Sequence, residues 1–104
     1  MSSIFYIIKE EQKRLLEAQQ AYEVAIEREV QGSPQIKHFG RKNYLYLAQR
    51  RGEKVAYRYV GNIDNENARK TLESVGRRKE YQALLKGIKM DLKEVKRVLR
   101  GQIV

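Results

Sequence analysis

The chain has no cysteine, no tryptophan, a single proline and a single histidine. Without cysteine, disulfides, thiolate nucleophiles and cysteine zinc sites are all excluded. The lone histidine, His38, has no Asp, Glu or Cys at ligand spacing. A metal centre or a histidine-based acid–base pair therefore lacks its second member, and His38 reads as a surface or phosphate-facing side chain. Ser2, Ser3, Ser33 and Ser74 sit in no nucleophile elbow, and Gly40-Arg41-Lys42 lacks the upstream glycines of a phosphate loop. The neighbouring carboxylates, such as Glu10 with Glu11, lie among compensating Lys and Arg, while Asp64 and Glu66 suit the opening of a helix. The sequence offers no catalytic residue, no metal site and no cofactor site, and the chain is expected to be a non-enzyme.

Long apolar runs are also missing. The run Ile4–Ile8 is followed at once by Lys9, Glu10 and Glu11. That is too short and too acidic behind for a secretory signal, and no stretch approaches the roughly 20 apolar residues that cross a bilayer. The expectation is a cytoplasmic protein without a membrane partner.

What is present is charge. Charged residues make up 34% of the 104, against 41% apolar, so any core must be thin. The net charge of +9 is unevenly placed: residues 1–30 sum to −2, residues 31–60 to +6 and residues 61–104 to +5. An even excess would serve solubility alone, whereas a local excess points to an anionic partner.

The residue pattern divides the chain into three parts within one domain spanning 1–104. Residues 1–31 hold good helix formers with no Gly or Pro. Ile4, Ile8, Leu15, Ala18, Tyr22 and Ala25 recur at helical spacing, with Phe5 and Ile26 on the stripe's edge. Gln31-Gly32-Ser33-Pro34 then stops the helix. Residues 35–61 change period: Gln35–Phe39, Tyr44–Arg50 and Glu53–Val60 alternate as strands around glycine-bearing turns, predicting a three-stranded antiparallel meander. Two hairpin registers are open. An Arg51-Gly52 loop sets Tyr46 against Tyr57 and Tyr44 against Tyr59, with Arg50 opposite Glu53. A three-residue loop sets Leu45 against Tyr57 and Leu47 against Val55. The aromatic pairing is preferred.

Residues 64–100 return to a helical period, with Asp64 as the expected N-cap. Tyr81, Leu85, Ile88, Leu92, Val95 and Leu99 form an a/d seam. Ala68, Leu72 and Val75 lie out of phase with it, predicting a bend or break near Gly76. The fold class is thus α+β: a long helix, a β-meander, and a helix or broken helix packing back antiparallel on the first in a coiled-coil-like hairpin. So thin a seam favours a homodimer.

The charge of the meander resides in Lys37, Arg41, Lys42, Arg50, Arg51, Lys54 and Arg58, opposed only by Glu53. Such cations can neutralise nucleic-acid phosphates. Tyr44, Tyr46, Tyr57 and Tyr59 interleave with them and can stack on bases, although packing in a small sheet core accounts for tyrosines at these positions more readily. A second group, Lys86, Lys89, Lys93, Lys96, Arg97 and Arg100 with Arg77-Arg78-Lys79 before it, reads as the solvated flank of the helix seam.

Residues Phe39–Gly61, with their Tyr44-Leu45-Tyr46-Leu47, a basic glycine turn and a closing Tyr59-Val60-Gly61, resemble the small basic β-meander of transposase- and integrase-like and other mobile-element proteins. The resemblance implies a DNA-contacting module and not a nuclease, since the acidic catalytic set of those enzymes has no counterpart here. The leading expectation is a small nucleic-acid-binding regulator or accessory protein, phage- or mobile-element-encoded, with DNA ahead of RNA. The alternative is an interaction module, an antitoxin or an inhibitor of a nucleic-acid-handling enzyme, docking its basic face on an acidic protein surface.

Overall fold

The computed structural model describes residues 3–101, and the helical and strand-like stretches of the sequence become helices and strands in that order. Helix α1 spans Ser3–Arg28, strands β1, β2 and β3 span Ser33–Phe39, Lys42–Arg51 and Lys54–Asn62, and helix α2 spans Glu66–Gly101. The strands form one antiparallel sheet in the order β1-β2-β3. The layout is α+β, as the periodicity predicts. Two units can be described separately: residues 1–26 with 80–104, and residues 27–79.

The first unit is the helix pair. On α2 the half-buried residues are Tyr81, Leu85, Ile88, Leu92, Val95 and Leu99, the seam read from the sequence. On α1 the stripe runs through Phe5, Ile8, Leu15, Ala18, Tyr22, Ala25 and Ile26, with Leu15 buried. Ile4 is a correction: it is 61% exposed, and Phe5 takes its place on the stripe. The Tyr22 and Tyr81 rings pack 5.8 Å apart across the pair.

The second unit is the sheet with the first turns of α2. Its core is Leu45 and Leu47 from β2 with Ala68 and Val75 from α2. Thr71 and Arg78, on the same stripe of α2, are buried too. α2 runs unbroken through Gly76, so the expected break is absent. The two out-of-phase stripes have a different cause: Ala68, Thr71, Val75 and Arg78 serve the sheet unit, whereas Tyr81 onward serves the helix pair. Gly76 itself is exposed with open space where a Cβ would stand. The N-cap is Asn65, not Asp64: its Oδ1 accepts from the Ala68 amide at 3.1 Å.

Neither anticipated hairpin register occurs. The β2–β3 turn is Gly52-Glu53, one residue later than Arg51-Gly52, and Arg51 pairs with Lys54. Gly52 takes φ +66° while no non-glycine residue among those described has positive φ, which matches the two-residue turn that needs glycine first. The turn between β1 and β2 repeats the pattern with Gly40-Arg41. In consequence Tyr46 faces Tyr59, Ala48 faces Tyr57, and Arg50 faces Val55 rather than Glu53. Beyond Tyr59 the ladder slips, Leu45 pairing with Gly61, so that Val60 is the extra residue of a β-bulge.

The junction entering β1 is tied to α2 by polar side chains. Arg78 donates through Nη1 to the Val30 carbonyl at 2.7 Å and through Nη2 to the Gly32 carbonyl at 2.9 Å. These carbonyls follow the end of α1, where backbone acceptors lack partners within the helix. Ser74 Oγ accepts from the Val30 amide at 2.8 Å and donates to Glu29 Oε2 at 2.7 Å. Arg78 is therefore structural, not part of a solvated flank, and Arg77 pairs with Glu29 at the same junction while remaining half exposed.

Candidate nucleic-acid interface

Alternation along β2 divides the sheet into two faces. Leu45 and Leu47 define the covered face, at 0% and 2% exposure. The register places Arg58 opposite Leu47, Lys54 opposite Arg51 and His38 opposite Asn43 on that same side. The other face carries Lys42, Tyr44, Tyr46, Ala48 and Arg50 from β2, Gln35, Lys37 and Phe39 from β1, and Tyr57 and Tyr59 from β3. It is open: Phe39, Tyr57 and Tyr59 are each more than half exposed.

This corrects the expectation that the tyrosines form the core. The leucines of the Tyr44-Leu45-Tyr46-Leu47 run fill the interior, and the tyrosines take the opposite face. They touch one another there instead. Ring centroids are 5.9 Å apart for Phe39–Tyr44, 6.2 Å for Tyr44–Tyr59 and 5.3 Å for Tyr46–Tyr59. The Lys37 ammonium lies 4.7 Å from the Tyr46 ring centre and 4.6 Å from that of Tyr57. Such contacts between a cation and ring faces are favourable, on the order of 0.5–1 kcal/mol at exposed sites. Side-chain contacts thus knit five aromatics and one lysine into a continuous surface.

The cations divide between the faces. Lys37, Lys42 and Arg50 stand on the aromatic face, and Arg41 is in the first turn. Arg51, Lys54 and Arg58 stand on the opposite face toward the second turn. There Arg51 and Arg58 line an open hollow of about 440 Å³ with Val30, Gln31, Leu47 and Gln49. All seven are exposed, and among the described residues none pairs with a carboxylate. On the helices some cations are paired, Arg14 with Glu11, Arg69 with Glu66 and Glu73, Lys70 with Glu66, and Arg97 with Glu94. His38 is hydrogen-bonded through Nδ1 to Asn43 Oδ1, its cross-strand neighbour. No cluster of three His, Asp or Glu side chains suited to a metal ion occurs among the described residues.

The preferred aromatic pairing already gathers Tyr44, Tyr46, Tyr57 and Tyr59 on one face, and the observed register, displaced by two residues along β3, keeps them there. Phe39 and the Lys37 contacts were not anticipated, because they depend on how β1 pairs with β2. No protein-family model matches the chain, and neither the curated proteins nor the solved structures contain a match. No helix among the described residues is long and apolar enough to cross a membrane.

Proposed function

We propose that the protein binds nucleic acid through its β-meander, as a small regulator or accessory factor. The observation that carries this reading is the set of seven exposed meander cations without carboxylate partners, gathered on one small sheet whose only carboxylate is Glu53. Uncompensated charge on a surface raises the local potential and draws polyanions, and each phosphate neutralised releases counterions. Lys37, Lys42 and Arg50 on the aromatic face, with Arg41 beside them, are the direct phosphate contacts in this reading. Arg51, Lys54 and Arg58 supply field and further contacts on the opposite face. The similarity of residues 39–61 to mobile-element DNA-contacting meanders agrees with it.

The helix pair supplies the second element of the reading. Its seam is only half-buried, and Ile4, Ile7, Leu16, Leu84 and Met90 remain exposed. A second copy of the chain would cover such residues, so a homodimer is proposed, measurable by sedimentation equilibrium.

The test of the function is fluorescence anisotropy of labelled oligonucleotides titrated with protein at several salt concentrations. Binding should weaken linearly on a log–log plot. Four phosphate contacts correspond to about a 50-fold loss over a fourfold rise in salt, at roughly 0.7 per contact for a single strand. Absence of retention on any DNA or RNA at low salt would sink the proposal.

A further inference from the structure

The open face of the sheet has a composition that plain phosphate binding does not need. We infer that this face takes single-stranded nucleic acid, with unpaired bases stacking on the exposed rings of Tyr57, Tyr59 and Phe39 while Lys37, Lys42 and Arg50 meet the phosphates. The inference rests on the nucleic-acid reading above and specifies its substrate.

The exposed rings favour a single strand over a duplex on this face, and the width of the sheet leaves little room for its edge side chains in a groove. A B-form major groove, about 12 Å wide, admits a helix or a two-stranded ribbon. Three strands at about 4.8 Å spacing already span roughly 10 Å between their outer backbones, before any side chain at the edges is counted. The A-form major groove is deep and narrow, and is less accessible still. Laid instead against the outside of a duplex, five aromatic side chains would confront phosphates and sugars, leaving their apolar surface without an apolar partner. A single strand has unstacked bases, and each base offers a π face to an aromatic side chain.

The contacts within the face fit that occupant. Tyr46 and Tyr44 are half-buried beneath their neighbours, so they support the platform, whereas Tyr57 and Tyr59 are 56% and 55% exposed. Lys37 lies against the rings of Tyr46 and Tyr57 in the free protein. A base arriving on Tyr57 displaces the ammonium, which is then available to a phosphate of the same strand. Lys37 thus holds the ring in place before binding and neutralises the backbone after it. Stacking tolerates any base, so the site should show little sequence preference.

The experiment compares a single-stranded DNA, a single-stranded RNA and a blunt duplex of equal length, with anisotropy and intrinsic tyrosine emission as readouts. The chain has no tryptophan, so its seven tyrosines are the emitters. The variants are Tyr57→Ala, Tyr59→Ala and their phenylalanine counterparts, each checked by circular dichroism. Expected are tighter binding of the single strands than of the duplex, quenching of tyrosine emission, and about a tenfold loss for each alanine variant. The salt slope should stay unchanged and the phenylalanine variants should bind normally. With a sequence free of thymine and uracil the two single strands differ only in the sugar, and their ratio reports whether a 2′-hydroxyl is read. Equal binding of duplex and single strand, or alanine variants that bind like the parent, overturns the inference while leaving salt-dependent nucleic-acid binding intact. No salt-dependent binding to any of the three, with an acidic protein bound instead, overturns the underlying reading as well.

Discussion

Arg77 and Glu29 are 48 residues apart in the chain and meet in a two-pronged ion pair, with Nε to Oε1 at 3.0 Å and Nη2 to Oε2 at 3.2 Å. The Arg77 bonds, joined by the bond from the Ser74 hydroxyl, hold the Glu29 carboxyl below the usual carboxylate range. A carboxyl whose pKa is lower in the folded state stabilises the protein above its unfolded-state pKa. That contribution is lost as pH falls through the folded value. Denaturant midpoints should therefore drop between neutral pH and about pH 3. Glu29→Gln should lower the midpoint at neutral pH and flatten part of the acid decline. An unchanged acid profile in that variant would remove Glu29 from the explanation.

Arg78 holds the same junction by a different means. Its guanidinium is buried and satisfies two backbone carbonyls, those of Val30 and Gly32. Arg78→Met keeps the stem but strands both acceptors, and leaving buried polar groups unpaired costs about 1–3 kcal/mol. Urea denaturation should show a loss of about 2 kcal/mol, with Arg78→Lys intermediate because an ammonium cannot reproduce the planar fork.

Gly76 lies within an unbroken helix, exposed, with no atom near the place of a Cβ. Gly76→Ala should raise stability by about 1 kcal/mol and shift the thermal midpoint upward by several degrees. A destabilised variant would mean that the helix needs glycine's freedom at this point.

The two faces of the meander make separate predictions for its cations. Arg50→Glu, on the aromatic face, should lower the salt slope of single-strand binding by about 0.7 and weaken binding about fivefold near 0.1 M salt. Arg58→Glu, on the leucine face, should change the slope by less than half as much. Equal losses in a side-by-side salt titration would place phosphates on both faces.

These predictions lean on features of unequal legibility in the sequence. The helix seam could be read directly, because Tyr81, Leu85, Ile88, Leu92, Val95 and Leu99 need only a 3.6-residue period to share a side. The meander's existence was equally plain from its turn glycines. Its register was not: Arg51-Gly52-Glu53 allows loops that differ by one residue, and only glycine's positive φ at the first central position selects Gly52-Glu53. The bulge at Val60 is a tertiary choice. Gly61, buried beside it, would bring a Cβ within 2.9 Å of Asn65 Nδ2, on the residue that caps α2. The candidate cations were named from composition, and their division between faces survives the change of register, because a shift of two residues along β3 leaves every side chain on the same side. The phase change before Tyr81 looked like a break because one helix serves two different cores.

A three-stranded sheet also leaves β1 and β3 as edges, and an exposed edge invites another strand to pair with it. Here Pro34 and Lys37 lie on one edge, and Lys54 and Arg58 on the other. Repulsion between such cations on two like copies opposes edge-to-edge pairing of their sheets. Substituting them for binding tests therefore also removes a guard against self-association, and dispersity must be recorded alongside affinity. A bound polyanion removes the same guard. Near charge balance, protein and nucleic acid should condense together, and turbidity should peak there and clear again when either component is in excess.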